Sequence, residues 1–402
     1  MRDAVLIAAQ SGRALAQAAR RAGLRPYVLD LFGDEDTLEL ADGHRTLSGR
    51  FGMARSGAES VLAGLDDLTA RAGNRVLGVI LGSGFEDAPA LMARIAARHR
   101  LIGAGPGTVA ALKDPLLFAS LCERLSIPHP RISVEPVADR RAWLLKRAGG
   151  SGGSHIRAAT AGHAPPDHYF QQRVPGRAHA LNFLADGRDI AALAVTEQWS
   201  HPSAVRPYRY AGAVARGSGE PAALSVPLVA EIAAAVGRLA KATALRGLAS
   251  ADLLVDGDAW WLLEINPRAG ATLDLLDRRR TPLLVQQVEA SLGNLPALDP
   301  SPVDAAGSEI CYAAHRYASV PPLEWPDFTR DRPRGGSLVA RDAPFCTVTA
   351  SGPDSEAVRQ SLRDRAGAIA ALLDGREDTH GYRYQAAEHQ RAGSAAGRPS
   401  GR

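Results

Sequence analysis

The chain has 402 residues, of which 46% are hydrophobic, and a formal net charge of +4. This length predicts two or three domains, and the interspersed charges include no basic block typical of a nucleic-acid-binding arm. No apolar run is long enough to span a membrane, and three distant cysteines exclude a Cys-x-x-Cys zinc site and a disulfide framework.

The first hundred residues alternate apolar strands with helices. Apolar runs occupy residues 4–9, 25–31, 76–81 and 101–103. The run at 4–9 resembles a short signal peptide, but Asp3 and the polar residues from Gln10 onward interrupt it. We therefore expect a soluble cytoplasmic protein. Buried strands alternating with helices predict parallel βαβ units, so residues 1–104 are predicted to form a small doubly wound domain.

The next two hundred residues, 105–300, are predicted to form a second domain. Strands are predicted at 142–146, 169–174, 179–184, 190–195, 253–255 and 260–265, and helices at 113–125, 226–244 and 281–292. Residues 301–384 resume a mixed α/β pattern as a C-terminal extension. Residues 385–402 have no periodic apolar face and are predicted to be a disordered tail.

Lysine is rare in this chain, and one lysine precedes a glycine loop. Lys113, Lys146 and Lys241 are the only lysines among 47 basic residues. A compact ammonium can reach a phosphate where a planar guanidinium does not fit, although chance could also leave three. Lys146 leads into the loop 149–154, whose small residues allow backbone N–H groups to approach phosphate oxygens. A flexible surface hairpin would have the same composition.

Two further glycine patterns indicate other functions only weakly. Residues 149–153 match Gly-x-Ser-x-Gly, the serine hydrolase elbow, but residues 155–158 are a poor start for the helix that this elbow needs. Residues 103–107 resemble a dinucleotide fingerprint, but the third glycine comes one residue early and Pro106 lies inside the pattern. A connector between domains is the better interpretation of that segment.

A cluster of oxygen-bearing side chains follows near residue 260. The predicted hairpin can place Asp252 opposite Glu264, and Asn266 lies two residues farther on the same face of the strand. Three oxygen ligands without Cys or His suit Mg²⁺ bound together with phosphates. Arg268 comes next on this face and can reach a phosphoryl group or a carboxylate. A surface hairpin with solvated charges is the alternative.

Because of these motifs, residues 4–295 resemble the ATP-grasp superfamily. Lys113 and Lys146 are similar to the two phosphate-binding lysines of the family. The segment Glu264-Ile265-Asn266-Pro267-Arg268 is very close to the usual sequence of the family's metal-binding motif. The resemblance implies an α/β ATP-grasp fold with an N-terminal parallel-sheet (pre-ATP-grasp) domain and a C-terminal mixed α/β extension. It also implies ATP and Mg²⁺ as cofactors.

The resemblance further implies a set of site residues. The implied ATP-binding residues are Lys113, Lys146, Gly150, Ser151, Gly152, Gly153, Ser154, Gln171, Gln172, Arg173 and Val174. The implied metal ligands are Asp252, Glu264 and Asn266, and the implied catalytic residues are Arg268 and Lys146. Two positions depart from the family: the adenine hinge carries glutamines instead of a glutamate, and Ala178 stands where an acidic residue commonly holds the ribose.

The segment 196–214 is rich in Trp, His, Tyr and Arg, which is typical of a loop that faces a ligand. We predict that Arg206 and Arg209 clamp a carboxylate substrate and that aromatic side chains such as Tyr210 stack on a ring. A packed structural loop is the alternative interpretation.

The resemblance implies that ATP phosphorylates a carboxylate and that an amine displaces the phosphate. The layout looks most like the ligase branch that includes the enzyme joining glutamate to tyramine in methanofuran-type cofactor biosynthesis. The expected partners are a small carboxylate and an amine, without nucleic acid or membrane, and a homodimer is compatible. An ATP-grasp phosphotransferase or carboxylase and a nucleotide-binding regulatory protein are the alternatives.

Overall fold

The structure is a computed structural model that describes residues 2–49 and 57–374. The predicted tail at 385–402 lies outside the described residues. In the described part of the chain, no helix has the length and apolar character needed to cross a membrane.

The N-terminal domain is built on a parallel four-stranded sheet. Its strands are β1 (Ala4–Ala8), β2 (Arg25–Asp30), β3 (Gly43–Thr46) and β4 (Val76–Leu81), in the order β3-β2-β1-β4. Its helices are α1 (Arg13–Arg21), α2 (Glu35–Leu40), α3 (Ala58–Ala72) and α4 (Pro89–Ala96). Strand β1 is completely buried because helices cover a parallel sheet on both faces. The predicted parallel-sheet domain is confirmed, although the strand predicted at 101–103 is only a single bridge between Leu101 and Val79.

A small antiparallel sheet carries Lys146 and the glycine loop. It follows helices α5 (Pro106–Lys113) and α6 (Pro115–Arg124) and contains β5 (Ile132–Ser133), β6 (Trp143–Arg147), β7 (Arg157–Ala158) and β8 (His168–Gln172). The glycine loop connects β6 to β7, which are paired antiparallel. Lys113 is the last residue of α5, and Asp114 caps α6 by accepting bonds from two backbone N–H groups.

A large antiparallel sheet of eight strands makes up most of the remaining described residues. Its strands are β9 (Arg177–Asp186), β10 (Ile190–Ser200), β11 (Tyr210–Ala215), β12 (Arg246–Asp256), β13 (Ala259–Asn266), β14 (Ala305–Tyr312), β15 (Thr329–Arg330) and β16 (Pro344–Gly352). They lie in the order β13-β12-β9-β10-β11-β14-β16-β15. The accompanying helices are α7 (Val226–Ala242), α8 (Leu273–Leu276), α9 (Leu283–Ser291) and α10 (Ser355–Asp374).

The C-terminal extension continues this large sheet. Strand β14 pairs with β11 over Ala306–Glu309 and with β16 over Ala305–Tyr312, and α10 packs against β14 and β16. Residues 301–374 therefore share one sheet with the second domain, and the predicted boundary at residue 300 does not separate two sheets.

Buried polar side chains fasten the N-terminal domain to the rest of the chain. Gln287 accepts a bond from the backbone N–H of Leu248 at 2.6 Å and donates one to the carbonyl of Ile102 at 3.1 Å. Arg13 on α1 is paired with Asp274 and Asp331, which lie in later parts of the sequence. These contacts hold the carboxyl edge of the parallel sheet against the large sheet, where the polar motifs converge.

Candidate active site

A cleft of about 480 Å³ lies between the small and the large antiparallel sheets. This volume is within the usual range for small-molecule sites. Many of the residues implied by the sequence line it: Lys146, Gly152, Gly153, Gln171, Gln172, Arg173, Val174, Tyr210, Asp252, Glu264, Asn266 and Arg268. Residues that are distant in sequence thus face one space.

Two of the three lysines lie at this cleft. The Lys113 Nζ is 3.2 Å from Glu264 Oε2 and 2.9 Å from Asn266 Oδ1. Lys146 is buried on β6, and its Nζ donates to Gln171 Oε1 at 3.2 Å. Lys241, by contrast, is exposed on α7. The structure therefore separates the exposed Lys241 from the two lysines near the cleft.

The hairpin of β12 and β13 sets the positions of the carboxylates. Its register pairs Asp252 with Glu264, as the hairpin geometry predicted. The Asn266 Nδ2 donates to Asp252 Oδ2 at 2.9 Å, and its Oδ1 accepts from Lys113, which also contacts Glu264. The bulge just after Asp252 shifts the register and still leaves the three side chains at the same end of the hairpin.

The pKa values of the two carboxylates, Asp252 and Glu264, shift in opposite directions. Burial, with the charge of Glu264, raises the pKa of Asp252. Burial also raises the pKa of Glu264, but Lys113 and Lys146 outweigh that effect and lower it overall. A divalent cation would relieve the repulsion between the two carboxylates, and two carboxylates with an amide match the oxygen ligands that Mg²⁺ prefers. The residues present therefore fit magnesium.

Arg268 is anchored by a carboxylate from the N-terminal domain. Its Nε donates to Glu86 Oε1 at 2.7 Å, and the backbone N–H of Gly84 donates to the other oxygen at 2.6 Å. Glu86 is buried, and Arg268 lowers its pKa against the opposing effect of burial. Sequence reasoning missed Glu86. The available signal was its place just after β4, because ligand sites of parallel sheets lie beyond the carboxyl ends of the strands.

The glycine loop is folded tightly against the segment before β11. Gly152 and Gly153 have positive φ values of 63° and 67°, and a Cβ on Gly153 would lie 1.9 Å from the carbonyl oxygen of Tyr208. The backbone N–H of Tyr210 donates to the Gly152 carbonyl at 2.9 Å. Only glycine permits this close approach, so the loop is built to cover the cleft.

His155 is a second residue that sequence reasoning missed. Its ring lies beside Gly150, where a Cβ would meet it at 2.4 Å. Burial, together with the charge of Lys146, lowers the pKa of His155 to about 4. The imidazole is therefore neutral near pH 7. Its position directly after the glycine loop was the signal that could have revealed it.

The structure gives Arg206 and Arg209 partners outside the cleft. The Arg209 Nε donates to the His201 carbonyl at 2.6 Å, and its Nη1 is 3.0 Å from Asp342 Oδ1. Its guanidinium stacks 3.9 Å from the ring centre of Tyr312. Arg206 donates to the Asp342 carbonyl at 2.6 Å. A carboxylate clamp at these positions is not supported, since the two arginines pack the loop instead.

Tyr210 does lie at the cleft, next to a second cavity. Its hydroxyl is buried and has no hydrogen-bond partner among the described residues. Burial, with the nearby Asp252 and Tyr312, raises the pKa of Tyr210. The ring therefore stays a neutral phenol that can donate a hydrogen bond to a ligand.

The second cavity, called here the junction cavity, measures about 240 Å³. Its walls come from the N-terminal domain, the glycine loop and the C-terminal strands; they include Gln10, Arg13, Asp34, Ser151, Ser154, Tyr312, Phe345 and Thr347. It shares Gly152, Tyr210, Arg268, Gly270 and Ala271 with the cleft. A molecule in the junction cavity would therefore meet a molecule in the cleft at Arg268.

Comparisons with known proteins give a family match for the central part of the chain. The family described as ATP-grasp domain matches residues 114–272. No curated protein sequence matches the chain significantly.

Solved structures share the fold at low identity. The biotin carboxylase domain of 2-oxoglutarate carboxylase from Hydrogenobacter thermophilus, in complex with MgADP, ADP and bicarbonate, has a TM-score of 0.66 at 13% identity, covering 91% of this chain and 89% of that one. L-amino acid ligase from Bacillus licheniformis has a TM-score of 0.64 at 14% identity, covering 91% and 97%. Phosphoribosylglycinamide synthetase from Anaerococcus prevotii has a TM-score of 0.62 at 11% identity, covering 91% and 98%. Residues 114–272 therefore match an ATP-grasp domain, and the chain shares the fold of these ATP-grasp structures.

Proposed function

We propose that the chain is an ATP-dependent ligase that phosphorylates a small carboxylic acid and joins it to an amine, with ADP and phosphate as products. The observation that carries this proposal is that the cleft and the junction cavity meet at Arg268. On one side lie Lys146 and the group of Asp252, Glu264 and Asn266, and on the other lies the junction cavity.

The nucleotide end of the site suits a triphosphate. The buried ammonium of Lys146 supplies positive charge, and the glycine loop supplies backbone N–H groups. Lys113 adds a second positive charge, and its Nζ donates a hydrogen bond to Glu264. Magnesium, held by Asp252, Glu264 and Asn266, would neutralise charge on the transferred phosphoryl group.

Arg268 is placed to serve the acid. Because Glu86 fixes its Nε, the guanidinium is held rigidly where the cleft meets the junction cavity. A carboxylate oxygen of the acid bonds to the γ-phosphorus, and the bond from that phosphorus to the ADP oxygen breaks. The amine nitrogen then attacks the acyl carbon and loses a proton, and phosphate leaves. The remaining N–H groups of Arg268 would stabilise the oxyanion that develops in this second step.

The structural relatives include both ligases and carboxylases, so an ATP-dependent ligase or carboxylase is the broad conclusion. Amide formation is the narrower proposal, with glutamate and tyramine as one substrate pair to test. Two alternatives remain, a phosphotransferase that uses the same nucleotide site and a nucleotide-binding regulatory protein.

One assay separates these functions. The protein is incubated with ATP, Mg²⁺ and a panel of acids and amines that includes glutamate and tyramine, and all products are identified. An amide with ADP and phosphate is the expected outcome, and AMP with pyrophosphate would contradict an acyl phosphate. ADP formed with bicarbonate and without amine indicates a carboxylase, and a phosphorylated product without amide indicates a phosphotransferase. ATP binding without any turnover would favour a regulatory protein.

A further inference from the structure

The end of the junction cavity next to the N-terminal domain is acidic. Asp34, Asp274, Asp331 and Arg13 are its charged side chains. Arg13 donates to the two oxygens of Asp274 at 2.8 and 2.6 Å, and to Asp331 at 3.1 Å. One guanidinium thus faces three carboxyl groups at this end of the cavity.

Asp34 differs from the other carboxylates of this cavity because no cation among the described residues forms an ion pair with it. Its side chain is only 6% exposed and lines the cavity. It stands at the start of α2, but it accepts no capping hydrogen bond there. Within residues 2–49 and 57–374, no group donates a hydrogen bond to it, whereas Asp36 accepts two backbone bonds from the segment 331–332. Buried carboxylates are normally paired.

The surroundings of Asp34 disfavour its charge as long as the cavity holds no cation. Burial raises its pKa, and the nearby charges of Asp331, Asp30 and Asp36 raise it further. Arg13 acts in the opposite direction but is already engaged by three other carboxylates, those of Asp36, Asp274 and Asp331. A positive group in the cavity would offset this repulsion.

We infer that the junction cavity binds a substrate that carries an ammonium group, and that Asp34 is the carboxylate which pairs with that group. This inference gives the substrate class for the proposed ligase and rests on that function for its reaction. A metal ion is a poorer occupant, because Asp274 and Asp331 are already paired with Arg13, which leaves Asp34 alone to bind a cation. The neighbouring Leu15, Phe32 and Phe345 provide an apolar wall that suits an organic cation.

The bound ammonium is not the nitrogen that forms the amide. A carboxylate partner stabilises the protonated form of an amine, and a protonated amine has no free electron pair for attack. The two ends of the cavity also have different charged neighbours. Asp34 is influenced by Asp331, Asp30, Asp36 and Arg13, whereas Arg268 is influenced by Glu86, Glu264 and Asp252. The ammonium therefore belongs either to the acid, as in an amino acid, or to the second amino group of a diamine.

Two matched pairs of compounds distinguish these sources. Glutamate and glutarate differ by one ammonium on the acid, and 1,4-diaminobutane and butylamine differ by one ammonium on the amine. Dissociation constants are measured by calorimetry for the intact protein, and for Asp34→Asn, Asp34→Glu and Asp66→Asn. Asp66 lies half-exposed on α3, outside the cavity, and serves as the control. Melting temperatures confirm that each variant is folded.

In at least one pair, the member with the extra ammonium should bind at least tenfold more tightly to the wild-type protein. Asp34→Asn should abolish that difference, Asp34→Glu should retain part of it, and Asp66→Asn should leave it unchanged. If neither pair shows the difference, or if Asp34→Asn preserves it, the inference is wrong. Because the readout is binding, this failure is distinct from a failure of the ligase proposal, which would appear as an absence of ATP turnover.

Discussion

Glu264 interacts with both an acidic and a basic side chain of the cleft. It faces Asp252 across the hairpin and contacts Lys113. Glu264→Gln removes a charged ligand while preserving the size of the side chain. We expect the loss of about 3 kcal/mol of transition-state stabilisation, which lowers kcat by two orders of magnitude or more. ADP release and melting temperature should be measured together. Near-normal magnesium-dependent turnover would show that the metal assignment is wrong.

The lysines allow a matched comparison within the chain. Lys146→Ala removes a buried ammonium at the cleft, and Lys241→Ala removes an exposed one on α7. Titration with ATP at a single salt concentration, because salt screens charge contacts, should show weaker binding by at least tenfold for Lys146→Ala. Lys241→Ala should bind ATP like the wild type. Equal effects would contradict a phosphate-binding role for Lys146.

Arg209 should act on stability instead of substrate affinity. Its contacts with His201, Asp342 and Tyr312 are internal, so Arg209→Ala leaves Asp342 without its partner. We expect a loss of roughly 2 kcal/mol in the free energy of unfolding, measured by urea denaturation, with little change in the KM for the acid. A large rise in that KM at unchanged stability would restore the carboxylate clamp predicted from the sequence.

Among the secondary-structure elements, α2 carries a pH-dependent effect through Asp34. The charged and titratable groups around this carboxylate are Arg13 on α1, Asp30, Asp36, Asp331 and Cys346. Since burial and these acids raise its folded-state pKa above the ordinary value, Asp34 supports stability below about pH 4. That support is lost as the pH rises through the folded-state pKa.

Asp34→Asn should therefore gain stability relative to the wild type as the pH increases from about 4, by up to about 1.4 kcal/mol per pH unit. Chemical denaturation of both proteins across this range measures the difference, with Asp66→Asn as the control. A difference that is constant with pH would contradict the raised pKa of Asp34.

Local patterns in the sequence were sufficient for most elements of the site. Continuous apolar runs predicted β1, β2 and β4, and hairpin geometry predicted the pairing of Asp252 with Glu264. Residues joined by distant contacts were not predictable in this way. Glu86 and Arg268 lie 182 positions apart, and Arg209 and Asp342 lie 133 apart. The hydrophobic periodicity of one segment carries no information about partners that lie far away in the sequence.

At the scale of the whole molecule, the large sheet continues across the boundary predicted at residue 300. The strands β14 and β16 look like a new α/β unit in sequence, but they extend the sheet that begins with β13. Edge pairing between β11 and β14 depends on tertiary contacts that the sequence pattern does not contain. The extension thereby supplies Tyr312 and Phe345 to the junction cavity.

The homodimer considered from the sequence stays a prediction.

The most direct test of the proposed chemistry follows oxygen from the acid. The acid that supports ADP release is labelled with ¹⁸O in its carboxylate and incubated with the protein, ATP, Mg²⁺ and the amine, and the released phosphate is analysed by mass spectrometry. An acyl phosphate requires that one labelled oxygen appears in the phosphate. Label in AMP, or phosphate without label, would contradict attack on the γ-phosphorus.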